Sequence, residues 1–148
     1  MLFAACVETL ISKCELPRSI EVVAYETDSA ILPYLEDTLR TCQSLCTSKG
    51  IEFHGTIKTE DFISAALSEV NGSLFVAPGI RFTHAILNPP YKKINSQTAV
   101  SRKLYLSGIG VANLYAVFVW LSMFLLEQGG QMAAITPRSF CNGPYFKR

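Results

Sequence analysis

The chain has 148 residues, the length of one domain and enough to bury a core. Its 13 Lys and Arg residues nearly balance 12 Asp and Glu, so a net charge of +1 excludes a strong overall field toward nucleic acid or an anionic membrane. Any DNA contact therefore has to be local. A hydrophobic fraction of 49% with 17% charged residues excludes disorder and predicts elements that are covered on more than one side.

The cysteines and the first residues bear on metal binding and location. The five cysteines form no CxxC pair and no Cys/His cluster at zinc spacing, so we interpret them as reduced, mostly buried thiols and predict no metal. The opening MLFAACVETL has no basic leader and contains Glu8, unlike a secretory signal peptide. The sequence thus predicts a cytoplasmic protein.

The first fifty residues alternate helical and extended patterns. Leu2 to Cys14 predicts a helix, and Ile20 to Tyr25 is a β-branched run of strand length. Asp28 and Ser29 then offer candidate helix caps. An amphipathic helix follows and ends near Gly50; its apolar face, with steps of three and four residues, is formed by Leu32, Leu35, Leu39, Cys42 and Cys46.

The next segment adds a short strand and a capped helix. Ile51 to Gly55 predicts the strand, Thr59 is a candidate N-cap, and Asn71-Gly72 predicts a turn. The apolar positions of the helix are Ile63, Ala66, Leu67 and Val70.

The second half continues the alternation. Leu74 to Val76 predicts a short strand and His84 to Leu87 a buried one. A long apolar helix near Val111 to Glu127 closes at Gly129-Gly130, and Gln131 to Thr136 predicts the last strand. This order predicts an α/β protein with a mainly parallel sheet.

The uncharged segment from Leu104 to Leu126 has an alternative interpretation as a membrane span, because it is long enough to cross a bilayer core of roughly 30 Å. Polar and glycine residues such as Gly108, Gly110 and Asn113 interrupt it. We therefore interpret it as a central helix packed on a sheet.

The tetrapeptide Asn88-Pro89-Pro90-Tyr91 directly follows the predicted strand HAIL, where open α/β sheets bind ligands. A planar NH2 group is a poor nucleophile when its lone pair is delocalised. The Asn88 carboxamide oxygen and the Pro89 carbonyl could accept its two hydrogens and localise that pair. Proline has a fixed φ and no N–H, so the carbonyl sits on a stiff segment, and Tyr91 supplies a stacking face. The alternative is a Pro-Pro turn with a capping Asn.

The string ILNPPYKKI resembles motif IV of adenine-N6 DNA methyltransferases of restriction-modification systems. The resemblance implies a partial Rossmann-like, S-adenosylmethionine-dependent methyltransferase fold, with Asn88, Pro89, Pro90 and Tyr91 as catalytic residues. It also implies that the target adenine flips out of double-stranded DNA to reach an enclosed methyl donor.

Two further segments resemble the family's cosubstrate motifs. The match at Tyr25-Glu26-Thr27-Asp28 implies that Glu26 accepts both ribose hydroxyls of S-adenosylmethionine. The match at Glu60-Asp61-Phe62-Ile63 implies that Asp61 accepts from the adenine amine of the cosubstrate and that Phe62 lies against its ring. Asn88 then borders the cosubstrate as well as the acceptor. By themselves, without the resemblance, Glu26 and Asp61 are better interpreted as helix caps or solvated charges.

Later segments also match in the family's order. Asn113-Leu114-Tyr115 with Phe118 resembles the helix motif after the acceptor loop, and GGQMAAITPRSFCNGPYFKR resembles the segment after the fifth strand. Alone, Phe118 is interpreted as a core residue.

Four positive charges follow the tetrapeptide without a compensating acid: Lys92, Lys93, Arg102 and Lys103. Contact with DNA phosphates would explain them, and so would an ordinary solvated loop.

The family's glycine-rich loop does not precede Leu2, and the family's later strands and target-recognition domain have no counterpart. We therefore expect residues 1–148 to form a partial catalytic domain without the strand that normally lies between those ending at Glu26 and Asn88. Such a gap predicts a chain that is marginally stable, self-associates or closes its sheet differently, and that binds S-adenosylmethionine weakly or not at all.

The sequence thus predicts a DNA adenine-N6 methyltransferase that uses S-adenosylmethionine and no metal. Two alternatives stay open. A protein glutamine methyltransferase also uses NPPY, because a side-chain amide presents a similar NH2, although the lysines after Tyr91 and the ITPRSF segment favour DNA. The second alternative is a non-catalytic remnant or interaction module of the same fold.

Overall fold

The computed structural model describes residues 1–72, 81–94, 99–106 and 113–138. The chain forms two compact units, Met1–Asp61 and Phe62–Arg148. Each unit contains one two-stranded parallel sheet among the described residues. The predicted α/β class with parallel strand pairing is confirmed.

The first unit comprises α1 (Leu2–Ile11), β1 (Ser19–Tyr25), α2 (Leu32–Ser48) and β2 (Glu52–Lys58). Strands β1 and β2 pair in register from Ser19 with Glu52 to Tyr25 with Lys58, so both strands end at the same edge of the sheet. The helices pack on this sheet through a core formed by Val7, Ile11, Ile20, Leu39, Cys42, Cys46, Ile51 and Phe53.

Helix α2 shows how the apolar spacing produces this packing. Leu35, Leu39, Cys42 and Cys46 are buried as predicted, because steps of three and four residues keep them on one side of a helix. The helix ends as predicted beside Gly50, whose φ of +73° is readily adopted only by glycine.

The second unit comprises α3 (Phe62–Gly72), β3 (Phe82–Leu87), α4 (Ala99–Leu106), α5 (Leu114–Leu125) and β4 (Leu126–Ala134). Its core joins three helices through Ile63, Ala66, Leu67, Leu104, Val117, Leu121 and Leu125. Val117 and Leu121 are fully buried, so α5 is the central helix of this unit.

Strand β4 corrects the predicted end of the apolar helix. The prediction placed a helix to Glu127 and a turn at Gly129-Gly130, whereas α5 ends at Leu125 and β4 begins at the next residue. Leu126 pairs with Phe82, and Gln131 pairs with His84. Between these two pairs the chain advances by two residues in β3 and by five residues in β4. Gly129 lies in this irregularity with a φ of +83°, so the glycines bend a strand instead of ending a helix.

Other predicted boundaries also differ. Helix α1 ends at Ile11, before the predicted Cys14, and Asn71-Gly72 forms the last residues of α3 instead of a turn. Strand β2 continues past Gly55 to Lys58, because its backbone stays paired with β1. The predicted strand at Leu74 to Val76 lies outside the described residues.

The membrane interpretation of Leu104 to Leu126 does not hold for the described part of this segment. Helix α5 has 12 residues, and no helix in the described ranges is both long enough and apolar enough to span a bilayer.

The cysteine prediction is partly confirmed. Cys42 and Cys46 are buried and Cys14 is exposed, while Cys141 lies outside the described residues. None of the four described cysteines forms a disulfide. Burial raises the pKa of the Cys6, Cys42 and Cys46 thiols, so these stay protonated near neutral pH.

Candidate active site

The Asn88-Pro89-Pro90-Tyr91 segment directly follows β3, which ends at Leu87 as predicted. The Ile135 N–H donates to the Leu87 carbonyl at 2.9 Å, so the chain after β4 stays beside the end of β3. Pro89 is buried, whereas Asn88, Pro90 and Tyr91 are exposed. The exposed position makes Asn88 accessible to a ligand.

The Tyr91 hydroxyl lies between two acceptors. Its oxygen is 3.2 Å from Asn88 Oδ1 and 3.1 Å from the Ile135 carbonyl oxygen. One O–H group donates fully to only one acceptor at a time. The Tyr91 hydroxyl can therefore donate either to Asn88 Oδ1, which the sequence predicts as the amine acceptor, or to the Ile135 carbonyl.

The residues after Tyr91 are attached to the start of α5. The Leu114 N–H donates to the Lys92 carbonyl at 2.9 Å, and Lys93 forms an antiparallel bridge with Asn113. The Tyr91 ring meets the Tyr115 ring edge to face, with centroids 6.4 Å apart. These contacts anchor the predicted acceptor segment to the central helix of the unit.

Helix α5 also supports Phe62. The Phe62 and Phe118 rings stack with centroids 5.1 Å apart and planes 25° apart. Tyr115 and Phe118 are three residues apart, so they lie on one side of α5. The structure thus places Phe62 and Tyr91 against neighbouring positions of one helix.

Two of the four predicted phosphate-binding residues lie on a helix and not in a loop. Arg102 and Lys103 belong to α4, so the alternative of a solvated loop does not hold for these two residues. The reason is that Leu104, only 2% exposed, packs into the core and holds this turn of the chain. The Lys92, Lys93 and Arg102 side chains are exposed.

The predicted cosubstrate carboxylates belong to the first unit. The Glu26 N–H donates to the Lys58 carbonyl at 3.0 Å, and Glu26 Oε1 accepts from the Asp28 N–H at 2.8 Å. Asp61 follows β2 by three residues and is exposed, whereas Glu26 is half-buried. Since β1 and β2 are parallel neighbours, the structure brings both acids to one edge of this sheet.

Ionised carboxylates accept hydrogen bonds and do not donate them, so this edge of the sheet suits hydroxyl or amine donors. A carboxylate offers acceptor positions on two oxygens, so Glu26 has capacity beyond its bond to the Asp28 N–H. That bond also orients the carboxylate before any ligand arrives.

An open groove of about 550 Å³ lies between α2 and β2. Its lining includes Glu36, Arg40 and His54 but neither Glu26 nor Asp61.

Asp28 has a different role from the predicted helix cap. Its Oδ1 accepts from the Ala30 N–H at 2.9 Å, forming a local turn, and α2 begins only at Leu32 with Ile31 at its N-cap. The turn leads the chain from Glu26 into α2.

The two units carry opposite net charges, although the whole chain has a net charge of only +1. Met1–Asp61 contains five Lys and Arg residues and ten Asp and Glu, a net charge of −5. Phe62–Arg148 contains eight Lys and Arg and two acids, a net charge of +6. No acid occurs between Glu69 and Glu127. The unit with the Asn88 segment is therefore basic enough to attract a polyanion.

Comparison with known proteins agrees with the motifs. The model of the Eco57I restriction-modification methylase family matches residues 28–148. Type II methyltransferase M.BsuBI of Bacillus subtilis is 45% identical over 124 residues, which cover 82% of this chain and 24% of that protein. Type II methyltransferase M.PstI of Providencia stuartii is 36% identical over 129 residues, covering 87% of this chain and 25% of that protein.

The chain belongs to the Eco57I restriction-modification methylase family. It spans about a quarter of the length of the two curated relatives. The resemblance to methyltransferases of restriction-modification systems is confirmed. The target base and the role of each site residue stay predictions.

Proposed function

We propose that the chain carries the acceptor site of a DNA adenine-N6 methyltransferase of a restriction-modification system. The observation that carries this proposal is the exposed Asn88 carboxamide beside a rigid proline pair, at the end of a parallel strand and in the basic unit of a methylase-family chain. A carboxamide and a carbonyl in this place suit a planar exocyclic NH2.

Asn88 Oδ1 and the Pro89 carbonyl accept the two hydrogens of the adenine amine, which localises the lone pair on nitrogen. In the structure Oδ1 is already near the Tyr91 hydroxyl. The incoming amine displaces that hydroxyl, which then donates to the Ile135 carbonyl, 3.1 Å away. No buried donor is left without a partner in this exchange, so it costs little free energy.

The Tyr91 ring contributes in a second way. It is 52% exposed and makes an edge-to-face contact with Tyr115, so a base can lie against the exposed part of the ring. Stacking of about 1 to 3 kcal/mol offsets part of the few kcal/mol needed to flip a base out of a duplex.

S-adenosylmethionine supplies an electrophilic sulfonium methyl group when it is bound. Glu26 would accept from its ribose hydroxyls and Asp61 from its adenine amine. Phe62 would lie beside the adenine ring, and Asn88 is also predicted to contact the cosubstrate. The half-buried position of Glu26 and its bond to the Asp28 N–H support this assignment.

The positive side chains after Tyr91 suit DNA phosphates. Lys92, Lys93 and Arg102 are exposed, and Lys103 lies on the same helix as Arg102. Each phosphate contact releases counterions and adds a salt-dependent contribution to the affinity. The net charge of +6 in this unit supports DNA as the partner over a protein glutamine side chain, as does the methylase family.

The substrate can be identified without knowing the recognition sequence. The complete protein is expressed in a bacterium without DNA methyltransferases, and the genomic DNA is digested and analysed by nucleoside mass spectrometry. N6-methyldeoxyadenosine is expected. N4-methylcytosine would show a different acceptor base, methylglutamine in cellular protein would establish the rival activity, and no methylated product would favour the non-catalytic alternative.

Replacing Glu26 by Gln tests the cosubstrate assignment. Hydrogen bonds to a charged group contribute about 1.5 to 3 kcal/mol, so the Kd for S-adenosylmethionine should rise roughly ten- to a hundredfold in the complete protein. Calorimetric titration measures this change. Glu21→Gln is the matched control, because it removes the same charge from an exposed position of β1, the strand that ends just before Glu26. Equal effects of the two substitutions would contradict a specific role of Glu26.

Replacing Tyr91 by Phe and by Ala separates the hydroxyl from the ring. Tyr91→Phe removes a neutral hydrogen bond of about 0.5 to 1.5 kcal/mol, so kcat/KM should fall by about tenfold at most. Tyr91→Ala also removes stacking of about 1 to 3 kcal/mol and should be about five- to a hundredfold worse than Tyr91→Phe. Methyl-transfer kinetics on genomic DNA test this order; equal activity of the two variants would exclude stacking by Tyr91.

A further inference from the structure

Helix α4 has one buried side and one exposed side. Leu104 is 2% exposed and packs into the core of the second unit. Tyr105 and Leu106 are each 83% exposed, and Arg102 is exposed as well. Tyr105 and Leu106 follow Arg102 by three and four residues, so all three lie on the side of the helix that faces away from the core contact of Leu104. We call these three residues the α4 face.

The α4 face is connected to the candidate active site through the backbone. Helix α4 lies in the stretch between Lys93 and Asn113, and these two residues bridge immediately after Tyr91. Leu104 fixes the helix against the same core that contains Val117 and Leu121 of α5. The face is thus held on a helix that packs into the same core as α5, the helix that anchors the Asn88 segment.

The composition of the α4 face indicates a nucleic-acid partner. Single exposed apolar residues are ordinary, but here an aromatic ring and a leucine adjoin an arginine in a stretch without any acid from Val70 to Leu126. Arginine binds phosphate, and an exposed aromatic ring stacks on any base, with about 1 to 3 kcal/mol per base. The net charge of +6 of the unit complements a polyanion.

We propose that the α4 face is a second DNA contact, in which Arg102 binds a phosphate and Tyr105 stacks on a base that becomes exposed when the target adenine leaves the duplex. Leu106 covers the edge of the stacked base. This inference rests on the proposed function and extends it, because it assigns to Tyr105 a contact with DNA that is separate from the acceptor site.

The experiment compares binding of the complete protein to two fluorescent strands of equal length and charge, an adenine-rich single strand and the same backbone without bases. Fluorescence anisotropy at low salt measures both affinities. Tyr105→Ala should weaken binding to the base-containing strand by about five- to a hundredfold and leave binding to the abasic strand unchanged. Tyr105→Phe should bind like the unmodified protein. Arg102→Ala should weaken both complexes. It should also reduce the slope of log affinity against log salt concentration by the contribution of about one phosphate contact.

Tyr34→Ala is the matched control, since Tyr34 is 70% exposed on α2 in the acidic first unit and should not affect either strand. The inference is overturned if Tyr105→Ala changes both affinities equally or neither. It is also overturned if sedimentation shows that Tyr105→Ala dissociates a dimer, which would make a second copy of the chain the occupant. These failures leave the Asn88 assignment intact, because that assignment is judged by the methylated product.

Discussion

Replacing Asn88 by Ala should lower kcat of the complete protein by at least about a hundred- to a thousandfold, the loss expected when one polar group that stabilises a transition state is removed. Cosubstrate affinity should change little, because the truncated group acts on the acceptor amine. The effect on folding should also be small, since Asn88 is exposed and the Tyr91 hydroxyl still has the Ile135 carbonyl at 3.1 Å.

Methyl transfer to genomic DNA and calorimetric titration with S-adenosylmethionine give the two readouts. Gln43→Ala is the matched control, because it removes an exposed side-chain carboxamide from α2, outside the predicted catalytic and binding residues. Its activity should stay close to that of the unmodified protein. If Asn88→Ala kept most of the activity, the carboxamide could not be the amine acceptor and the proposed mechanism would be wrong.

Replacing Leu121 by Ala should lower the free energy of unfolding of the second unit by about 2 to 5 kcal/mol. Leu121 is fully buried at the centre of the core that joins α3, α4 and α5. The substitution removes most of the side chain and leaves a cavity among well-packed neighbours. A loss of this size is a large part of the stability of a small domain.

Urea unfolding of the 148-residue chain, followed by the fluorescence of Trp120, measures this change. Trp120 is the chain's one tryptophan and lies on α5, so its emission reports on the helix that contains Leu121. Met123→Ala is the matched control on the same helix, because Met123 is 59% exposed and its truncation opens no cavity. An equal shift of the urea midpoint in both variants would contradict the assigned core.

The contacts of the candidate site explain why the site was only partly predictable. The Tyr91 hydroxyl reaches the Ile135 carbonyl across 44 positions of the sequence, and Phe62 stacks on Phe118 across 56. No local spacing encodes such pairs, because they form only when β4 aligns beside β3 and α5 packs on α3. The positions of the charges were visible in the sequence. The opposite net charges of the two units could be assigned only with the unit boundary after Asp61, which the fold defines.

Local patterns were sufficient for the α/β class, the apolar face of α2 and the position of Asn88 after a strand, because periodicity and strand length depend on neighbouring residues. Tertiary packing decided that Arg102 lies on a helix, since Leu104 needed a core partner that is distant in sequence. Tertiary packing also decided that Leu126 to Gly130 extend a strand. Pairing with Phe82 gives hydrogen-bond partners to backbone groups that would bond only to water at the end of a helix. Long-range hydrogen bonding and burial therefore set the boundaries that short-range periodicity could not.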